Sequence, residues 1–171
     1  MGLDYYQDRN AKNLKKLKDV IKDLPPYVED FFIGQESRTS VLTRLNYAYD
    51  LRIFFDYVSQ KVLSKPIKDI TLEQLDNIEP FAFERYLNYL NEYEFNGKMN
   101  FCNESAKKRK LSSVRSFYKY FFMKNLIVNN PPTKIFLPKL HEKEIIRLEK
   151  PEVVNILDEA ENGHNLTPHM K

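Results

Sequence analysis

A single cysteine, Cys102, leaves this chain of 171 residues no internal disulfide to make. That excludes a disulfide-stapled scaffold and fits a reducing compartment. Glycine is scarce too: the four are scattered singly at Gly2, Gly34, Gly97 and Gly163, which leaves no loop to cradle a phosphate. No apolar run approaches the ~18 residues of a membrane span. The amino terminus, MGLDYYQDRN, lacks the apolar stretch of a signal peptide. The chain therefore reads as intracellular and cytoplasmic, with no membrane partner. Structural zinc needs more ligands than the chain groups together. His164 and His169, set in a polar tail, read as plain loop residues, so neither metal nor cofactor is expected.

What is present describes a soluble globular protein. Hydrophobic residues make up 42% and charged residues 30%, and 13% aromatics, all Phe and Tyr, argue against disorder. The length suits one real core with a fragment of a second. Net charge is only +3, but it is unevenly spread. From Ser105 to Arg147 the cations are Lys107, Lys108, Arg109, Lys110, Arg115, Lys119, Lys124, Lys134, Lys139, Lys143 and Arg147, against Glu142 and Glu144 alone. The preceding stretch, from Lys61 to Glu104, leans acidic. Such asymmetry points to a polyanion-facing surface, with a solvated charged face as the alternative.

Periodicity predicts helices almost throughout. Leu14, Leu17, Val20, Ile21 and Leu24 recur at helical spacing until Pro25 and Pro26 end the run. YVEDFFIGQE forms a short helix closing near Gly34. Ser37, Thr39 and Ser40 offer caps for a long helix, VLTRLNYAYDLRIFFDYVSQKVL, whose Leu45, Ala48, Leu51, Phe55, Val58 and Val62 share an apolar face. Pro66 stops it. Thr71 caps a short helix, a further one runs to about Glu94, and NGKMNFCN is expected to be a polar loop. Next comes AKKRKLSSVRSFYKYFF, in a helix from about Glu104 to Lys124. NNPPTKIFLPKLHEKEIIR reads as an extended connector. LEKPEVVNILDEAE then predicts a helix with Pro151 in its first turn and Gly163 near its end, leaving Val153, Val154, Ile156 and Leu157 without a partner. That helix is expected to open a missing domain.

The basic helix divides sharply. At 100° per residue Lys108, Ser112, Arg115 and Lys119 fall on one face, while Leu111, Val114, Tyr118 and Phe121 line another with Phe117 beside them. Lys, Arg, Ser and Tyr are all donors to phosphate or base edges, and small residues between them permit close approach to a groove. A membrane-surface helix uses the same pattern, but the aromatic face is also what a bundle core requires.

These residues carry a family resemblance. AKKRKLSSVRSFYKYFFMKNLIVNNPPTKIFLPK, followed by IIRLEKPEVVNILD, resembles the end of the core-binding domain of tyrosine recombinases, the phage-integrase family, running into their catalytic domain. The matching features are Arg109 to Tyr120, Asn130-Pro131, Pro138-Lys139 and Leu148 to Leu157, with TRLNYAYDLRIFFDYV similar to an earlier helix of the family. The likeness spans roughly Tyr27 to Ala160. It implies an all-α fold: a SAM-like orthogonal four-helix bundle at 27–132 with an N-terminal helical extension at 1–26. An interdomain linker at 133–147 and the start of a catalytic domain at 148–171 would follow. That bundle would form half of a clamp around double-stranded DNA, with other recombinase protomers as further partners. The DNA-binding candidates implied are Thr43, Arg44 and Tyr47 on the earlier helix; Lys107, Lys108, Arg109, Ser112, Arg115 and Lys119 on the later; and Lys134 and Lys139 on the connector. Spacing separately puts Thr39, Thr43 and Asn46 on one polar stripe, with Tyr47 at its edge. Tyr47 reads equally as a half-buried core residue; for Arg109, a role in neutralising a nearby carboxylate is the lesser alternative. Two departures stand out: Tyr49 where many relatives carry a basic residue, and a longer loop at FNGKMNFC.

Strand exchange in this family needs a nucleophilic tyrosine with arginines, a lysine and histidines to neutralise the charge developing on a phosphodiester. His141, His164 and His169 have no arginine three residues on, so no catalytic residue is expected. The alternatives are a helical protein-interaction domain with a basic face and the DNA-binding part of a non-recombinase regulator.

Overall fold

The computed structural model describes residues 2–137, 139 and 150–162. Pro138, the stretch 140–149, Gly163 and all three histidines lie outside the described residues, as does most of the expected linker. The chain divides into two compact units, 1–140 and 141–171. The first holds α1 (Gly2–Ile21), α2 (Val28–Gly34), α3 (Val41–Tyr57), α4 (Leu72–Asp76), α5 (Pro80–Tyr89), a hairpin of β1 (Tyr93–Phe95) and β2 (Lys98–Asn100), and α6 (Glu104–Met123). The second contributes α7 (Lys150–Asn162), starting one residue before Pro151.

Three of the helix starts follow capping chemistry. Ser40 Oγ accepts from the Thr43 amide at 3.1 Å and caps α3. Thr71 and Gln74 cap each other's backbone reciprocally at the head of α4. Asn103 caps α6 through the Ala106 amide at 2.9 Å. Each satisfies donors that a helix start leaves open. At its far end α3 relaxes into a π-helical turn over Val58–Leu63, which a left-handed Ser64 closes at φ 52°.

Helix α3 is the centre of the unit and is buried round most of its circumference, not along one stripe. Leu45, Ala48, Leu51, Ile53, Phe54, Phe55 and Tyr57 are all buried because α1 packs on it from one direction and α6 from another. Leu17, Val20 and Leu24 join the same core from α1 and the turn after it. Arg52 reaches Asp23 at 3.1 Å across that contact. The rest of the core is aromatic. Phe117 meets Phe31 edge-on at 5.5 Å and Phe55 at 5.7 Å, while Phe54 stacks on Phe83 at 5.8 Å and meets Tyr86 edge-on at 5.4 Å. Such edge contacts suit the ring quadrupole.

Two segments differ from what periodicity predicts. Helix α5 ends at Tyr89, short of Glu94, and the supposed loop is a hairpin in which Tyr93 faces Asn100 and Phe95 faces Lys98. Asn96 and Gly97 turn it with φ of 53° and 71°. Both central residues at positive φ give the hairpin turn that Asn-Gly favours, and that local preference outweighs the helical spacing before it. The connector, for its part, begins on the bundle. Pro131 to Lys134 form a 3-10 turn with Pro131 and Pro132 buried, and Ile135 is buried after it. Asp76 at the end of α4 accepts from the Val128 and Asn129 amides at 3.0 and 2.6 Å, pinning the approach to that turn.

Candidate nucleic-acid interface

The cations that the sequence places together fall into two groups. Asp50, fully buried in the middle of α3, gathers one group. Its Oδ2 accepts from Arg109 at 2.7 Å and from Ser113 Oγ at 2.8 Å, and its Oδ1 from Lys110 Nζ at 3.2 Å. Lys110 is itself buried, and the carboxylate beside it supplies a counter-charge at that depth. Lys107, 8% exposed, is held by Glu104 at 2.8 Å. Arg115 Nε donates to Pro132 O at 2.9 Å, and its guanidinium also donates to Ile135 O. Arg44 is buried with Glu36 at 3.4 Å, and its Nε finds no acceptor.

The second group faces solvent. Among the described residues, Lys108, Lys119, Lys134 and Lys139 form no ion pair, and all but half-buried Lys108 are exposed. Ser112 is exposed between Lys108 and Lys119, its hydroxyl turned back to Lys108 O at 2.8 Å. Arg109 belongs to both groups: one nitrogen is on Asp50, yet half of its side chain is exposed. The remaining candidates are structural as well as polar. Thr43 Oγ1 lies 2.9 Å from Ser40 Oγ in the α3 cap, and Tyr47 stacks on Phe31 at 6.3 Å and 19°.

The apolar face of α6 explains why the cations are displayed so rigidly. Leu111, Val114, Phe117, Tyr118 and Phe121 are all buried. Tyr118 also donates to Leu75 O at 3.1 Å, tying α6 to α4. Sequence reasoning missed Asp50, whose one signal was a carboxylate with aromatic neighbours, Tyr47 and Phe54, three residues before and four after it.

Six phenols of this unit are held neutral more firmly than a free tyrosine. Burial pushes the phenols of Tyr86 and Tyr118 well above their ordinary pKa and raises those of Tyr27, Tyr57, Tyr89 and Tyr93 as well. A phenol held neutral is a poor nucleophile. Among the described residues no group of acidic, histidine or cysteine side chains is placed to hold a metal ion, and no helix is long and apolar enough to cross a membrane. A cleft of about 760 Å³ beside α4 and α5 is lined by residues that include Glu73, Glu79 and Arg85 and contains none of the candidate residues.

Comparison with known proteins agrees with this architecture. A family model described as phage integrase, N-terminal SAM-like domain, matches residues 28–125, from the first residue of α2 to just past the end of α6. A tyrosine recombinase XerC of Leptospira interrogans (serovar copenhageni) is 30% identical over 124 residues, covering 71% of this chain and 34% of its own length. A tyrosine recombinase XerC of Caldanaerobacter subterraneus is 27% identical over 149 residues, covering 78% of this chain and 40% of its own. The chain thus spans a little over a third of the length of the curated relatives it matches. No solved structure matches it. With more than half of its residues matched by the family model, and with the helical unit that the match delimits, the chain belongs to the phage-integrase family as a carrier of its N-terminal SAM-like domain.

Proposed function

We propose that this chain is the DNA-binding module of a site-specific tyrosine recombinase, gripping duplex DNA through the exposed cations of α6 and the connector. The observation that carries this is the row Lys108, Ser112 and Lys119: two lysines without ion pairs flank a small hydroxyl residue, on a helix whose opposite face is locked into an aromatic core. Membership of the family adds the expectation of a DNA partner. Arg109, Lys134 and Lys139 extend the row. Lys107, Arg115 and Arg44 hold internal partners and enter as supports. In this reading residues 27–132 are the core-binding bundle, 133–147 the interdomain linker and 148–171 the start of a catalytic domain. Strand cleavage and exchange belong to that domain, and other recombinase protomers are further partners.

The test is a salt titration of binding to duplex DNA. If roughly 4–6 phosphates are neutralised, the log–log slope is about −4 to −5, at about 0.9 per phosphate. A flat response overturns the proposal, and tight binding to an acidic protein with none to DNA would place the chain among protein-interaction domains instead. Incubation with a suicide duplex should give no covalent protein–DNA band.

A further inference from the structure

A second cationic feature lies at the far end of α6, built partly from a loop that sequence spacing does not connect to it. A cleft of about 350 Å³ is lined by Gly34, Gln35 and Arg38, from the end of α2 and the turn beyond it, by Ser116, Lys119, Tyr120 and Met123 from α6, and by Lys124 at its C-cap. Three of these residues are cations, none is acidic, and among the described residues Arg38, Lys119 and Lys124 form no ion pair. The turn holding Arg38 is ordered by its own backbone: the Arg38 and Thr39 amides donate to Gln35 O at 3.1 Å each, and Thr39 Oγ1 donates to the same oxygen at 2.8 Å. Gly34 brings the two elements together. A Cβ there would lie 2.3 Å from the Tyr120 ring, so only glycine lets that ring sit against the backbone.

We infer that this cleft is a phosphate seat, in which Arg38, Lys119 and Lys124 hold one phosphate of a DNA strand and Ser116 or Gln35 supplies a neutral donor. The inference rests on the DNA-binding reading and adds to it a loop residue, Arg38, outside the basic helix. Charge selects the ligand: three unpaired cations with no carboxylate among them attract a polyanion. The donor set narrows it further, since a guanidinium, two ammonium groups, a hydroxyl and an amide all give hydrogen bonds to phosphate oxygens. Position supplies the continuity. Lys119 is shared between the cleft and the exposed row, and lies eleven residues from Lys108, about 16 Å along the helix at ~1.5 Å per residue. One strand following that row is led into the cleft.

The experiment is a salt titration of duplex binding by the whole chain, its Arg38→Ala and Lys124→Ala variants, the double variant, and Lys98→Ala on the hairpin as control. The double variant should reduce the slope by up to about 0.9 and weaken binding by up to about eightfold at 0.1 M salt, with each single substitution giving a part of that loss, because the three cations share one phosphate. The control should leave both unchanged, and all variants should melt like the parent. A scan with single methylphosphonate linkages should then find one position where the neutral linkage weakens the parent but not the double variant. If the parent shows its salt slope and the cleft variants share it, or no linkage behaves this way, the seat is overturned and the wider DNA reading stands. If the parent has no salt slope, both fall. Variants that keep DNA binding but lose binding to a polyglutamate peptide would assign the cleft to an acidic protein and overturn the seat.

Discussion

The two ends of α6 carry similar charge and use it differently. In the amino-terminal half Lys107, Arg109 and Lys110 are turned onto Glu104 and Asp50, so most of that positive charge is consumed inside the protein and fixes how α6 lies on α3. At the carboxyl-terminal end Lys119 and, just past the last turn, Lys124 form no ion pair among the described residues and open with Arg38 onto a cleft. Charge in a sequence is therefore not charge available to a ligand. What decides is whether a buried acid lies within reach, and Asp50 lies within reach of only one half. Arg115, between the two, is committed to neither: it donates to carbonyls of the 3-10 turn and holds the connector down.

The most disruptive way to break this contrast is to remove the acid. Asp50→Ala leaves Lys110 buried without a counter-charge, and chemical denaturation should show a loss of about 3–5 kcal/mol. A loss below about 1 kcal/mol would mean that Lys110 escapes to solvent and that the two halves are alike. Phe117→Ala should have a comparable or slightly smaller effect, about 3–5 kcal/mol on the large-to-small scale, since Phe117 is 1% exposed and touches Phe31 and Phe55. A melting curve unchanged by that substitution would show that the faces of α6 are misassigned.

A smaller effect should follow Arg115→Ala. Losing charged hydrogen bonds to two carbonyls should destabilise by about 1.5–3 kcal/mol. The specific sign is faster proteolysis between Pro131 and Leu137 at unchanged helix content; cleavage no faster than in the parent would mean that Asp76 alone pins the segment. The smallest stability effect belongs to Lys108→Ala, which should stay within about 0.5 kcal/mol of the parent. The same change should lower the DNA salt slope by about 0.9. A Lys108→Ala chain as destabilised as Phe117→Ala would erase the distinction between packed and displayed residues on this helix.

Much of the architecture was written locally. The spacing of Leu17, Val20 and Leu24 and the Pro25-Pro26 stop located α1, and caps at Ser40 and Thr71 started the helices that follow. Those signals are legible because each depends on residues a few positions apart. The end of α5 was misread because helical spacing ran on into β1, and the Asn96-Gly97 turn outweighed it through backbone conformation alone. The interface was legible only in part. The displayed face of α6 followed from its period, while the inward turn of Lys107 and Lys110 did not, since a buried lysine and an exposed one are the same letter.

By itself the sequence determined the helical class, the amphipathic split of α6 and the surplus of basic residues beyond Ser105, because periodicity, capping and net charge are properties of short windows. Tertiary structure alone decided which cations remain free. Asp50 lies fifty-nine and sixty residues from Arg109 and Lys110, and Arg38 shares a cleft with Lys124 across the whole span from α2 to α6. Those meetings arise from how α2, α3 and α6 close around a common aromatic core. A pairing energy that depends on distance and burial cannot be read from a chain before it is folded.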